Sequence, residues 1–286
     1  MGLGDQDWRE EEAIPLRSRS NSQPRGLFLA CWLIGSLMVG FVVVPLIDLA
    51  ATPSAASLAS AARDADLRQA IALSLEAAFL TALLAALFGV PLAYTLARSR
   101  SRTSTTIAAI VDLPLAVPHT VAGIALLMAF GRRGILGAPA LALFGMQFWG
   151  SLWGIIAGML FVSVPYTVNA ARLAFEAIDP RLEQVARTLG LGPWSTWLRI
   201  VLPLARRGIL TGLTLTYARA ISEFGAVIML AYYPMTAPVQ IYTLFLRFGI
   251  TKAAAASVLL LAVCLGLFVL FRALAYGRAI TVGTGR

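Results

Sequence analysis

The chain has 286 residues, of which 59% are hydrophobic and only 13% charged, with a mean hydropathy of +0.80. A soluble domain carries about 25% charged residues, so there is too little charge here to coat a water-soluble enzyme of this size, and the surplus apolar surface points to lipid. The formal charge of +9 comes from 23 basic against 14 acidic residues; the basic residues, all arginine except Lys252, punctuate long apolar runs and form no patch interleaved with aromatics, which fits orientation in a membrane and not nucleic-acid binding.

In chain order, Met1 to Arg25 mixes Asp5, Asp7, Glu10, Glu11 and Glu12 with Arg17, Arg19 and Arg25 among Ser, Gln and Pro, and reads as a solvated, disordered tail. Gly26 to Ile47 then carries no charge, and at about 1.5 Å per residue it is long enough to cross a hydrocarbon core of about 30 Å. A cleaved secretory leader has a shorter apolar core of about 7 to 15 residues, so this run is read as a span. The same length test predicts five more spans over Ile71–Ala97, Thr106–Phe130, Phe148–Ala170, Ile209–Leu230 and Ala253–Tyr276. Cys31 and Cys264 both lie inside apolar runs, which argues against a disulfide framework.

The expected organisation is therefore an all-α, polytopic membrane protein with six transmembrane helices. Residues 1–25 form a tail, 26–276 the membrane domain and 277–286 a short C-terminal tail. With the N-terminus in the cytoplasm, the inside segments hold sixteen basic residues and the outside loops six, so both termini are expected inside.

The longest inside connection, about 172–208, is patterned. Asp179-Pro180 is a helix start, a carboxylate for orphan N–H groups followed by a residue that has no N–H to lose. Leu182, Val185, Ala186 and Leu189 then fall at helical spacing on one face. Gly190, Gly192 and Pro193 end this helix and begin a second, with Trp194, Trp197, Leu198, Val201 and Leu202, which Pro203 bends toward the fifth span. Two such amphipathic helices either lie on lipid headgroups or dock a soluble partner.

Gln184-Val185-Ala186, three residues, Gly190, nine residues and Ile200-x-Leu202-Pro203 resemble the EAA loop of binding-protein-dependent ABC importer permeases, in which the string is Glu-Ala-Ala, three residues, Gly, nine residues, Ile-x-Leu-Pro. The spacing matches throughout. Gln184 stands where the family has Glu, with Glu183 one position earlier, and Val185 replaces Ala. The resemblance runs from about Ala70 to Ala275. Pro91-Leu92-Ala93-Tyr94, the segment from Leu113 through Pro114, Pro118 and His119 to Gly123, and the segment from Ala218 through Arg219 and Glu223 to Gly225 are similar to the molybdate, tungstate and sulfate permeases. Phe130 to Gly137, with Arg132 and Arg133, and Ala231 to Met235 are most similar to the tungstate/molybdate branch.

The resemblance implies a MetI-like permease fold in the cell membrane of a prokaryote, working as a homodimer with two ATP-binding cassette subunits and an external substrate-binding protein. It implies a coupling role for Asp179, Glu183, Gln184, Ala186, Arg187, Gly190, Ile200, Leu202 and Pro203. No G-x-x-x-x-G-K-[ST] loop occurs in the chain, so no cofactor is expected on this subunit, and ATP and Mg are expected on the partner ATPase.

Pro118, His119, Arg219, Ser222 and Glu223 are the candidates for the translocation pathway, because an ionisable residue at membrane depth is a functional candidate by default. His119, the sole histidine, is either a satisfied structural group or a gate. Arg219 and Glu223, four apart on one helical face, are either an ion pair holding the helix in register or an anion attractor and its moderator. Pro114 and Pro118 predict a kink or a broken helix lining a cavity. Glu76 lies near the outer end of the second span. Sulfate or another anion is the alternative cargo within the class. An ATP-independent secondary transporter or channel should show inverted repeats and more intramembrane charge, and an intramembrane enzyme would need a paired-aspartate site, a metal cluster or a Ser/His dyad that this sequence does not offer.

Overall fold

The computed structural model describes residues 25–99 and 101–276, and among these every regular element is helical. The tails expected over 1–25 and 277–286 lie, apart from Arg25, outside the described residues. The described residues divide into two units, with the boundary between Asp48 and Leu49. Helix α1, Arg25–Ala51, supplies the described part of the first unit and its apolar run is uninterrupted by charge from Gly26 to Ile47.

In the second unit the order is α2 (Ala55–Arg63), α3 (Ala65–Leu84), α4 (Val90–Arg98), α5 (Arg102–Ala116), α6 (His119–Phe130), α7 (Gly137–Phe144), α8 (Leu152–Glu176), α9 (Arg181–Thr188), α10 (Pro193–Thr196), α11 (Leu202–Ile221), α12 (Gly225–Leu230), α13 (Ala237–Phe248) and α14 (Ile250–Tyr276). Capping follows the sequence. Ser54 accepts from Ser57 N, Asp64 from Asp66 N and Leu67 N, and Ser101 from Ser104 N, so each helix start answers N–H groups that the helix cannot.

Phe28–Ala51, Ala65–Arg98, Leu152–Glu176 and Ile250–Leu270 are long and apolar enough to cross a bilayer. Arg102–Ala116 and His119–Phe130 pass the same test together but are bent by 115°. That bend falls where Val117 is extended and Pro118 follows, because a residue before proline is driven out of the helical region. The continuous helix expected over Ile209–Leu230 is not observed. Instead α11 reaches back to Leu202, carrying Arg206 and Arg207, and stops at Ile221; Ser222, Glu223 and Phe224 separate it from α12. The fourth expected span, Phe148–Ala170, lies later, at Leu152–Glu176, because Ser151 caps the helix through Gly154 N.

Pro45, Pro114 and Pro165 lie inside α1, α5 and α8, and two further prolines are accommodated by a wider turn ahead of them. Residues Ala85–Gly89 form a π turn ahead of Pro91, and Trp197–Val201 form another ahead of Pro203. Proline lacks an N–H and crowds the carbonyl four residues earlier; widening the turn there relieves both problems. The helix therefore passes through Pro203, where the sequence suggested only a bend.

Helix α8 is the axis of the second unit, packed against α3, α4, α11 and α12. Around Ile155 and Met159 it meets Ala77, Ala78, Ala220, Ile221 and Val227. Around Val168 and Phe175 it meets Val90, Leu96, Val201 and Ala205. Small residues let the backbones approach, which supplies dispersion contacts that lipid cannot. Between these clusters the buried hydroxyls of Thr167 and Thr216 are 2.6 Å apart, and Thr216 also donates to Ser163 O at 3.0 Å. Such an interhelical bond in a membrane is worth about 0.6 kcal/mol, at most about 1.7. Thr216→Val should therefore lower the thermal unfolding midpoint in detergent more than Thr211→Val, whose hydroxyl bonds only its own helix at Arg207 O; equal shifts would contradict the pairing.

Candidate functional site

The two helix breaks meet. Helices α6 and α12 pack together, and Gly225 at the start of α12 lies so close to His119 at the start of α6 that a Cβ there would sit 2.7 Å from His119 Cβ. Only glycine permits this approach.

Glu223, between α11 and α12, is 1% exposed. Its Oε2 accepts from Arg219 Nη2 at 2.7 Å and its Oε1 accepts from Ala226 N at 2.8 Å. One carboxylate thus balances Arg219 in the last turn of α11 and answers an orphan amide of α12, which explains why the helix expected over Ile209–Leu230 breaks at this residue. The same Arg219 Nη2 lies 2.9 Å from His119 Nε2 and 3.2 Å from Nδ1, while His119 Nδ1 is 3.5 Å from Glu223 Oε2. Arg219 Nη1 donates to Ser222 Oγ at 3.3 Å, and Ser222 Oγ donates to Arg219 O.

Pro118, His119 and Ser222 are exposed, and the Arg219 side chain is 22% exposed. The cluster therefore presents hydrogen-bond donors from a guanidinium already balanced by a buried carboxylate. It offers oriented polarity with little net charge.

The loop from Asp179 is the second assembly. Asp179 Oδ1 accepts from Arg181 N at 2.9 Å and starts α9. At its other end Gly190 adopts φ +87°, Gly190 N donates to Arg187 O, and Leu191 N donates to Ala186 O; this is a Schellman ending, which needs a left-handed residue. Among the apolar residues that share a face by spacing, only Ala186 is buried. Leu182, Val185 and Leu189 are exposed, as are Trp194 and Leu198 from the next helical stretch, with Leu189 at 78% and Trp194 at 77%. Gln184, Arg187 and Pro203 are exposed, and Ile200 and Leu202 are half-buried.

The residue turned inward beside Ala186 is Glu183. Its carboxylate accepts from Tyr94 Oη at Oε2 and from Arg98 Nε at Oε1, both at 2.7 Å. Tyr94 and Arg98 stand four apart on α4, and nothing in that spacing indicates their partner 85 or more residues away. Asp112 accepts from Asn169 Nδ2 at 2.7 Å, joining α5 to α8, and the sequence signal for it is an ionisable residue inside an apolar run. Glu76 is exposed on α3.

These features define a class: a helical, multi-pass membrane protein with a polar cluster where two broken helices meet and a helical loop that displays apolar side chains. A family model described as binding-protein-dependent transport system inner membrane component matches residues 87–277, and the chain belongs to that family. Among its relatives, the molybdate/tungstate transport system permease protein WtpB of Thermococcus kodakarensis is 40% identical over 241 residues, covering 84% of this chain and 92% of that protein. The molybdenum transport system permease protein ModB of Escherichia coli is 38% identical over 191 residues, 65% of this chain and 83% of that one. The fold is shared with ABC importers: a bacterial alginate transporter bound to its periplasmic protein gives a TM-score of 0.72 at 18% identity, covering 90% of this chain and 96% of that chain. The methionine transporter MetNI gives 0.57 at 17% identity, over 73% and 92%.

The ion pair makes a prediction. Removing Arg219 alone strands a buried carboxylate, at about 3 kcal/mol. Arg219→Met should thus lower the unfolding midpoint more than the double variant Arg219→Met with Glu223→Gln, which keeps an acceptor for Ala226 N. A double variant less stable than the single would contradict the pairing.

Proposed function

We propose that this chain is the membrane-spanning permease of an ABC importer that carries molybdate or tungstate across a prokaryotic plasma membrane, driven by ATP hydrolysis on a separate subunit. Exposed Leu182, Val185, Leu189, Trp194 and Leu198 on one short helical loop carry this reading, since a surface of this kind needs a partner. Family membership supports an ATP-binding cassette subunit as that partner, and the names of the 40% identical relatives support the cargo.

In this reading two copies of the chain form the pathway, and each places six spans in the membrane: α1, α3 with α4, the bent pair α5 and α6, α8, the broken pair α11 and α12, and α14. Both termini and the 172–208 loop face the cytoplasm, one cassette subunit docks on each loop through Gln184, Arg187 and the apolar residues around them, and an external binding protein delivers the anion. ATP and Mg are held by the cassette subunits. The chain's own residues supply the route: Arg219, backed by Glu223, and His119 offer donors to a tetrahedral oxyanion at the two helix breaks, while Pro118 and Ser222 hold the breaks open.

The tagged chain, purified in mild detergent from its native host, should bring down a cassette ATPase at equal stoichiometry. Gly190→Val forces a β-branched residue to φ +87°, at about 1–3 kcal/mol of local strain, and should lose the ATPase while keeping its helical content and elution volume. Recovery of the unmodified chain alone, or only with itself, would overturn the proposal.

A further inference from the structure

Glu183 lies in the coupling loop, yet it faces the membrane domain and not outward, and its side chain is 8% exposed. Tyr94 Oη and Arg98 Nε each donate to it at 2.7 Å, and Arg98 Nη2 makes an ion-pair contact with the same Oε1 at 2.7 Å without hydrogen-bond alignment. The remaining guanidinium nitrogen, Nη1, donates to Phe175 O at 3.0 Å, in the last turn of α8. The Tyr94 ring meets Phe175 edge-on at 5.5 Å and Trp197 at 6.3 Å, and Arg98 lies 5.9 Å from the Tyr94 ring centre. Four elements are therefore fastened at one point: the end of α4, the end of α8, the docking helix α9, and the π turn that follows α10.

Besides the turns at Ala177–Pro180 and Gly190–Gly192, α9 is held by the buried Ala186 and by packing on the π turn at Trp197–Val201, and the Glu183 junction is the charged bond that ties it directly to α4 and α8. Through it, α9 is bonded to α4 at Tyr94 and Arg98 and, by way of Arg98, to the last turn of α8. Building on the importer reading above, we infer that Tyr94 and Arg98 are positioning residues for energy coupling: they clamp Glu183 so that movement of the docked ATPase is passed to α4 and α8 as a rigid displacement. The i, i+4 spacing of Tyr94 and Arg98 allows one turn of α4 to hold both oxygens of a single carboxylate.

The test uses the intact complex of this chain, its ATPase subunit and its binding protein in proteoliposomes, and reads how far molybdate-loaded binding protein stimulates ATP hydrolysis. Arg98→Gln and Glu183→Gln should each lower that stimulation by about fivefold or more, the range of an ordinary coupling free energy, with the ATPase still co-purifying. Tyr94→Phe, which keeps the ring and removes one bond, should give a smaller loss, Arg98→Lys should restore part of it, and the Arg98→Gln, Glu183→Gln double variant should be no worse than either single. Normal stimulation in Arg98→Gln and Glu183→Gln would overturn the clamp, and so would loss of ATPase binding, which would make Glu183 a docking residue. If the unmodified complex is not stimulated at all, the importer reading itself fails and takes the clamp with it.

Discussion

A carboxylate withdrawn from water inside an apolar protein must be answered where it stands, and the architecture turns on two of them. Glu183 and Glu223 are the charged side chains found buried among the described residues, and each is held by an arginine at 2.7 Å. Neither is placed for general stability, since a well-packed apolar side chain would serve as well. Each instead joins pieces of backbone that no continuous run of helical hydrogen bonds connects. Glu223 fastens α11 to α12 across a break, and Glu183 fastens a loop helix to the ends of α4 and α8.

The breaks themselves follow from local chemistry. Val117-Pro118 cannot continue α5, so the chain turns by 115° and exposes the start of α6 beside Gly225. Backbone freed from helical pairing at membrane depth is tolerated where it borders a cavity or packs on protein, and here it is lined by Arg219, His119 and Ser222. The prolines at 91 and 203 act differently. Each follows a π turn, so the helix survives and the strain is spread over a wider turn, which keeps the runs from α3 into α4 and from α10 into α11 helical.

Much of this was legible in the sequence. Apolar run length located the long helices, Pro118 marked the bend, and Asp179, Gly190 and Pro193 marked the ends of the loop helices, because each of these signals is local. The i, i+4 relation of Arg219 and Glu223 gave their pairing for the same reason. What stayed hidden depended on contacts distant in sequence. Tyr94 and Arg98 meet Glu183 across more than 80 residues, so spacing placed Glu183 on a helix without saying that it faced inward. The fifth span read as continuous because Glu223 looked like a helix residue; its second bond, to Ala226 N, is what ends one helix and starts another. Helical periodicity likewise grouped Leu182, Val185 and Leu189 with Ala186 but left open whether that face was covered.

ATP-driven entry of an oxyanion is the claim that the bends, the cluster and the loop serve together. Proteoliposomes holding this chain and its ATPase subunit, with ATP inside and molybdate-loaded or tungstate-loaded binding protein outside, allow internal metal to be counted by mass spectrometry. An importer predicts accumulation that requires both ATP hydrolysis and the binding protein. Accumulation of the same size with ATP omitted, or with the binding protein left out, would contradict it.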